Sequence, residues 1–297
     1  MNTKDLSFCI ADFPCRIIFD KGIDDGRIYL PSYAPFYIKE AESKYIFTLH
    51  VSDGMVSADP EGEEVGQFDA GGNNHGVYHM PDGGYKFIIS SVRGNIACAM
   101  RVNKDFSESR VTLFGNEADK RFGLNNCIMI TFAFSSSRHK CLLMHSSVIM
   151  SEGCGYLFLG KSGTGKSTHS DLWVANIPGS EILNDDNPAV RVMGNGIVRV
   201  YGTPWSGKRD YYRNIGLPVG AFVQLEQAPE NHIRKESKLT GFATILSSTS
   251  SMIWDKESYR LITEIVSQIA TSTPVYHLKN RPEPAAAYMS HDAVKKQ

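Results

Sequence analysis

Gly160-Lys161-Ser162-Gly163-Thr164-Gly165-Lys166-Ser167 fits the pattern G-x-x-x-x-G-K-[ST], and Thr168 follows it. The chemistry served by this spacing is phosphate binding. Glycines let the backbone take conformations that a Cβ forbids. Successive N–H groups then turn inward and cradle phosphate oxygens, and the positive end of a following helix adds to the attraction. Lys166 is placed to reach β- and γ-phosphates, and the Ser167 hydroxyl to ligate Mg²⁺. The expected cofactors are therefore ATP and Mg²⁺. Their binding residues are Gly160, Ser162, Gly163, Thr164, Gly165, Lys166, Ser167 and Thr168. A turn that only joins a strand to a helix does not require the lysine and hydroxyl at these offsets.

A Mg-nucleotide needs carboxylates, and transfer to a hydroxyl benefits from a base. Asp185 and Asp186 follow the short apolar stretch EILN (Glu181–Asn184) and can divide those roles. By itself an Asp-Asp pair after a strand is a cap or a turn; beside the loop the catalytic reading gains. His145 lies in CLLMHSSVIM, the run before the loop's own strand, where a histidine reads as core or as site in equal measure. The segment GTPWSGKRDYYRN (Gly202–Asn214) carries Lys208, Arg209 and Arg213, cations suited to a transferring phosphoryl group or an anionic acceptor.

The elements that must position these groups follow from periodicity. CLLMHSSVIM (141–150) and YLFLG (156–160), joined by SEGCG, predict a hairpin that feeds the loop. A helix is expected over 165–176, ended by Pro178, and a strand over 181–184. In a sheet with that connection, the loop and Asp185 share one edge. AVRVMGNGIVRVYG (189–202) predicts a hairpin around Gly194-Asn195-Gly196, and VGAFVQLEQ (219–227) a strand. The spacing of Leu261, Ile262, Ile265, Val266 and Ile269 predicts a helix over 255–271, and a short one is expected over 283–294.

Residues 1–115 read as a β-rich domain, with strands at 16–19, 45–51, 85–91, 95–102 and 110–114. Ala58–Gly76 reads as an exposed loop or weak hairpin, and His75 and His79 as loop histidines. A buried helix is expected over 122–136, although periodicity leaves a strand at 127–134 open. That helix opens the second expected domain, 116–297.

The bulk composition narrows the function classes. The 297 residues are 42% hydrophobic and 21% charged, with a net charge of −1. No global field recruits nucleic acid or an anionic membrane, so neither is an expected partner. No window approaches a membrane span, and MNTKDLSFCIADF lacks a secretory h-region. The six cysteines form no C-x-x-C pair and read as reduced thiols, which places the chain in the cytoplasm as an expectation.

The set of motifs resembles the HPr serine kinase/phosphorylase and phosphoenolpyruvate carboxykinase superfamily. His145 precedes Gly160 by fifteen residues, as a histidine-bearing strand does in HPr kinases. Asn184-Asp185-Asp186 resembles their ADD, and SGTGKST the carboxykinase SGTGKTT. The likeness spans about residues 140–227. It implies an α/β (α+β) C-terminal domain with a mixed sheet around a P-loop. It implies a kinase in which Lys166 and Ser167 bind phosphate and metal, one aspartate is the base and the other a metal ligand. We assign Asp185 as base and Asp186 as ligand. His145 assists, and Arg209 joins the catalytic set. The acceptor implied is a serine-type hydroxyl on a peptide, protein or small molecule, and a homo-oligomer is compatible with the family. Two other readings of the same residues stay open: a nucleotide-binding regulator without transfer, and a short carboxykinase-like enzyme.

Overall fold

The computed structural model describes residues 4–20, 23, 25–41, 43–69, 74–91 and 93–295. It divides into two compact units, Met1–His139 and Lys140–Gln297. The division falls later than the boundary expected near Gly115. The cause is helix α1 (Glu117–Ser137), which packs on the sheet of the first unit instead of opening the second. Gly123 makes the close approach possible: a Cβ there would lie 2.9 Å from the Ala97 carbonyl. The Cys127 and Cys98 sulfurs meet at 3.1 Å, and Thr131 meets Ser109. The helix starts ahead of residue 122 because Asn116 and Asp119 form a capping box.

The first unit holds a nine-stranded sheet. Its order is β3 (Tyr37–Ile38), β1 (Asp5–Ile10), β2 (Phe13–Phe19), β4 (Phe47–Val51), β9 (Glu108–Leu113), β8 (Ile96–Val102), β7 (Tyr85–Ser90), β6 (Asn74–His79), β5 (Glu63–Asp69). Sequence reasoning anticipated five of these strands and missed β1 and β3. The Ala58–Gly76 stretch supplies β5 and the start of β6, paired as a hairpin; residues 70–73 within it lie outside the described residues. His75 and His79 are strand residues, not loop residues. His75 is buried and its Nδ1 accepts the Ser90 N–H at 3.0 Å, while the His79 ring stands edge-on to Tyr85.

The second unit is built on a mixed sheet of order β10 (Cys141–Leu143), β14 (Ala189–Val192), β15 (Val198–Tyr201), β16 (Gly216–Gln227), β12 (Cys154–Leu159), β11 (Ser146–Ser151), β13 (Glu181–Asn184). β18 (Val275–Asn280) pairs with β16 and with β17 (His232–Lys235). β12 runs parallel to β16, and β11 runs antiparallel to both β12 and β13. So β12 and β13 point the same way, and their C-terminal ends share an edge with the start of β11. That edge receives the glycine loop, Asp185–Asp186 and His145. The single strand expected over 141–150 is two strands. The chain breaks at Met144–His145, whose N–H groups bond to the Pro188 and Ser248 carbonyls instead of a neighbouring strand.

Helices α2 (Lys166–Asn176), α3 (Lys238–Ser247), α4 (Lys256–Ser272) and α5 (Pro284–Lys295) complete the unit. Trp173 fastens α2 to the sheet. It is fully buried against Tyr156 and Phe158, and its Nε1 donates to Ser290 Oγ on α5 at 2.9 Å. Truncating such a residue costs roughly 3–5 kcal/mol, so the helix that begins at Lys166 is firmly placed. Among the described residues no helix is long and apolar enough to cross a membrane.

Candidate active site

The loop between β12 and α2 bends where its glycines stand. Gly160 has φ 152°, Gly163 82° and Gly165 96°. A Cβ on Gly160 would meet Thr164 Oγ1 at 2.4 Å. Thr164 closes the bend from inside, donating through its hydroxyl to the Lys161 carbonyl at 2.8 Å. Gln227, at the end of β16, ties the loop to the sheet through the Gly163 carbonyl at 3.1 Å. α2 then begins with no side-chain cap and no acidic residue in its first turn. The first N–H groups of a helix have no intrahelical partners, and here no side chain takes them. This arrangement fits a phosphate anion. Ser162 and Thr168 are exposed on the same loop and helix start, and Ser167 is half-buried.

Lys166 is nearly buried, and its Nζ lies 2.9 Å from the Gly160 carbonyl and 2.9 Å from His145 Nε2. An ammonium only donates, so Nε2 is the acceptor and Nδ1 carries the ring proton. Nδ1 stands 2.9 Å from Asp186 Oδ1. Lys166, His145 and Asp186 thus form one connected chain from the loop to the acidic pair. Burial pushes the Lys166 ammonium below its ordinary pKa, and the charges of Asp186 and Asp185 pull it back. Asp186 also accepts from Asn187 Nδ2 at 2.8 Å, and its backbone N–H bonds to Asn184 Oδ1. Asn184 in turn holds Thr203 of the GTPW segment, which explains why that segment follows so closely on the acidic pair in space.

Asp185 is held differently. Its side chain is 5% exposed, against 31% for Asp186. One oxygen accepts from Ser147 Oγ at 2.8 Å, and the other forms an ion pair with Arg209, whose Nε lies 3.2 Å away. Its backbone N–H bonds to Ser206 Oγ at 3.0 Å. Each carboxylate oxygen therefore keeps a lone pair free for a further partner. Arg209 reaches Asp171 on α2 with both terminal nitrogens, at 2.6 and 2.7 Å. Those bonds and the charge of Asp185 raise its pKa above the ordinary arginine value, with burial opposing.

The structure therefore gathers Lys166, His145, Asp185, Asp186 and Arg209 at one edge of one sheet. Ser167 and the acidic pair are the oxygen donors here that could hold a Mg²⁺ ion. The cations of the GTPW segment differ from expectation: Arg209 faces two carboxylates, and Arg213 pairs with Glu181 at 2.6 Å. Sequence reasoning missed Ser147, Ser170, Asp171 and Ser206. Ser147 was hidden by the break at Met144–His145, because β11 begins only at Ser146. Ser170 and Asp171 were within reach as the residues three and four beyond Ser167 on one helix face.

No family model matches the chain, and no curated protein matches it in sequence. Among solved structures, the HPr(Ser) kinase/phosphatase from Coxiella burnetii is similar over 52% of this chain and 99% of its own, at 13% identity and a TM-score of 0.32.

Proposed function

We propose that this protein is an ATP- and Mg²⁺-dependent phosphotransferase acting on a hydroxyl, serine-type on a peptide or protein or borne by a small molecule. One observation carries the reading. The loop lysine is joined through His145 to Asp186, and the charge of Asp185 also acts on that lysine, which supports a carboxylate pair beside the glycine loop. Carboxylates turned away from the loop would have been incompatible with it.

ATP supplies the phosphoryl group, and Mg²⁺ offsets the charge on its phosphates. The loop N–H groups and Lys166 hold the phosphates and stabilise charge on the departing side. Asp185 takes the proton of the acceptor hydroxyl as the oxygen–phosphorus bond forms and the β,γ-bridging bond breaks. Its ion pair with Arg209 fixes one side of the carboxylate. Asp186, the more open carboxylate, would hold the metal together with Ser167. His145 fixes Asp186 and Lys166 relative to each other.

The test uses γ-labelled ATP, Mg²⁺ and lysate from the native host, with wild type beside Asp185→Asn. Label on a distinct acceptor with wild type and not with the variant establishes the activity and isolates the substrate. ATP binding with no labelled acceptor under any condition refutes transfer.

A further inference from the structure

We infer that Asp171 and Ser170 of α2 are positioning residues that aim the Asp185 carboxylate, acting through Arg209 and Ser147. The inference rests on the phosphotransferase reading above and assigns residues that lie outside the sequence motif.

Two separate chains of contact run from α2 to Asp185, one to each oxygen. In the first, Ser170 Oγ lies 2.6 Å from Ser147 Oγ, which lies 2.8 Å from Asp185 Oδ1. An ionised carboxylate only accepts. The single Ser147 proton therefore goes to Asp185, and Ser170 must donate to Ser147. The direction of the chain is fixed: Ser170 to Ser147 to Asp185. Both serines are fully buried, so water does not compete for these bonds. In the second chain, Asp171 engages both terminal nitrogens of Arg209, and Nε is what remains for Asp185 Oδ2.

The second arrangement has a particular effect. A guanidinium with its fork free grips a carboxylate with two parallel bonds. Such a grip on Asp185 would cover both of its oxygens and turn the carboxylate onto Arg209. Asp171 occupies the fork and leaves Arg209 only the 3.2 Å Nε ion-pair contact with Asp185. Asp171 itself is 55% exposed, and ion pairs so open add little to stability; orientation is the role left for it. Ser170 and Asp171 lie one helical turn beyond Ser167 on the same face. The helix that receives the phosphates thereby also sets the angle of the carboxylate that must meet the acceptor.

The test measures the full-length protein with MgATP, by phosphate release from γ-labelled ATP with water as acceptor, and by equilibrium binding of a fluorescent ATP analogue. Asp171→Asn should lower kcat about tenfold and leave KM for MgATP within about twofold, the signature of misorientation. Asp171→Glu should restore most of the loss. In an Arg209→Gln background, Asp171→Asn should add less than about a twofold effect, because the two act as a unit. An unchanged kcat in Asp171→Asn, or independent and multiplying effects in the double variant, overturns the inference. If wild type releases no phosphate to water, the phosphotransferase reading is still decided separately by the acceptor-labelling test above. The positioning claim is then decided by nitrogen-resolved NMR of the Arg209 Nε–H, assigned by its loss in Arg209→Lys. Exchange of that proton with water at least about tenfold faster in Asp171→Asn upholds the link to Asp185; unchanged exchange overturns it.

Discussion

Helices α1 and α2 both lie on sheets, and both are anchored by buried aromatic or sulfur-bearing side chains, yet they begin in opposite ways. The start of α1 is closed by its own residues. Asn116 accepts the Asp119 N–H, Asp119 reaches back to Asn116, and Glu117 adds negative charge at the positive helix end. α2 starts at Gly165 in a left-handed conformation, without a cap and without an acid in its first turn. In α1 the sequence spends three polar residues on satisfying the helix end. In α2 it withholds them and puts a lysine and a serine there. The difference separates a helix end closed by its own side chains from one left without a side-chain cap.

Four experiments would break or sharpen this contrast. The largest effect is expected from Asp185→Asn, which leaves the open end of α2 intact and removes the proton acceptor. Transfer should fall by about 10²–10⁴-fold with binding of a fluorescent ATP analogue unchanged; a parallel loss of binding would place Asp185 in the nucleotide site itself. Next is Gly165→Asp, which gives α2 an anion of its own and strains a φ of 96°. ATP should bind about 100-fold more weakly, the equivalent of roughly 3 kcal/mol. Full retention of affinity would show that the helix end is not the phosphate site.

The third concerns His169, one turn into α2, whose pKa burial pushes down to about 4. The unfolded chain takes up this proton near pH 6.5 and the folded one only near 4. The contribution is therefore present above the higher value and lost as pH falls toward the lower one. Between pH 7 and pH 5 it amounts to roughly 2 kcal/mol. Chemical denaturation across that range should show the loss in wild type, and a flatter profile in His169→Gln; identical profiles would remove His169 as the cause. The smallest effect is Asn116→Ala, which uncaps α1 at a cost of about 1 kcal/mol. It should shift the unfolding midpoint and leave ATP affinity alone.

The residues of the candidate site were easier to single out in the sequence than the fold around them. The loop and the acidic pair could be read because their chemistry restricts residue types at fixed offsets. His145 could be found by its distance from Gly160, while its partner Lys166 is part of the motif itself. The Asp171–Arg209 and Ser147–Asp185 contacts could not be read, because each joins residues 38 positions apart that follow no local pattern. The same limit explains α1. Its apolar texture announced burial but not the surface that it covers, and its cap residues looked like the start of a new domain. The break at Met144–His145 escaped for a related reason: its N–H groups are taken by the Pro188 and Ser248 carbonyls, far along the chain.

Strand β16 runs unbroken from Gly216 to Gln227, roughly 40 Å at ~3.3 Å per residue. It leaves the segment that carries Arg209 and Arg213, and its last side chain holds Gly163 in the glycine loop. Its length is consequently part of the site. Inserting one residue between Ala221 and Glu226 would turn Gln227 to the opposite face of the sheet and cut that hold without altering any residue of the motif. The turn at Gly194–Gly196, which touches none of these groups, is free to lengthen. Descendants of this sequence should therefore vary in length at that turn and keep the spacing from Gly216 to Gln227 constant.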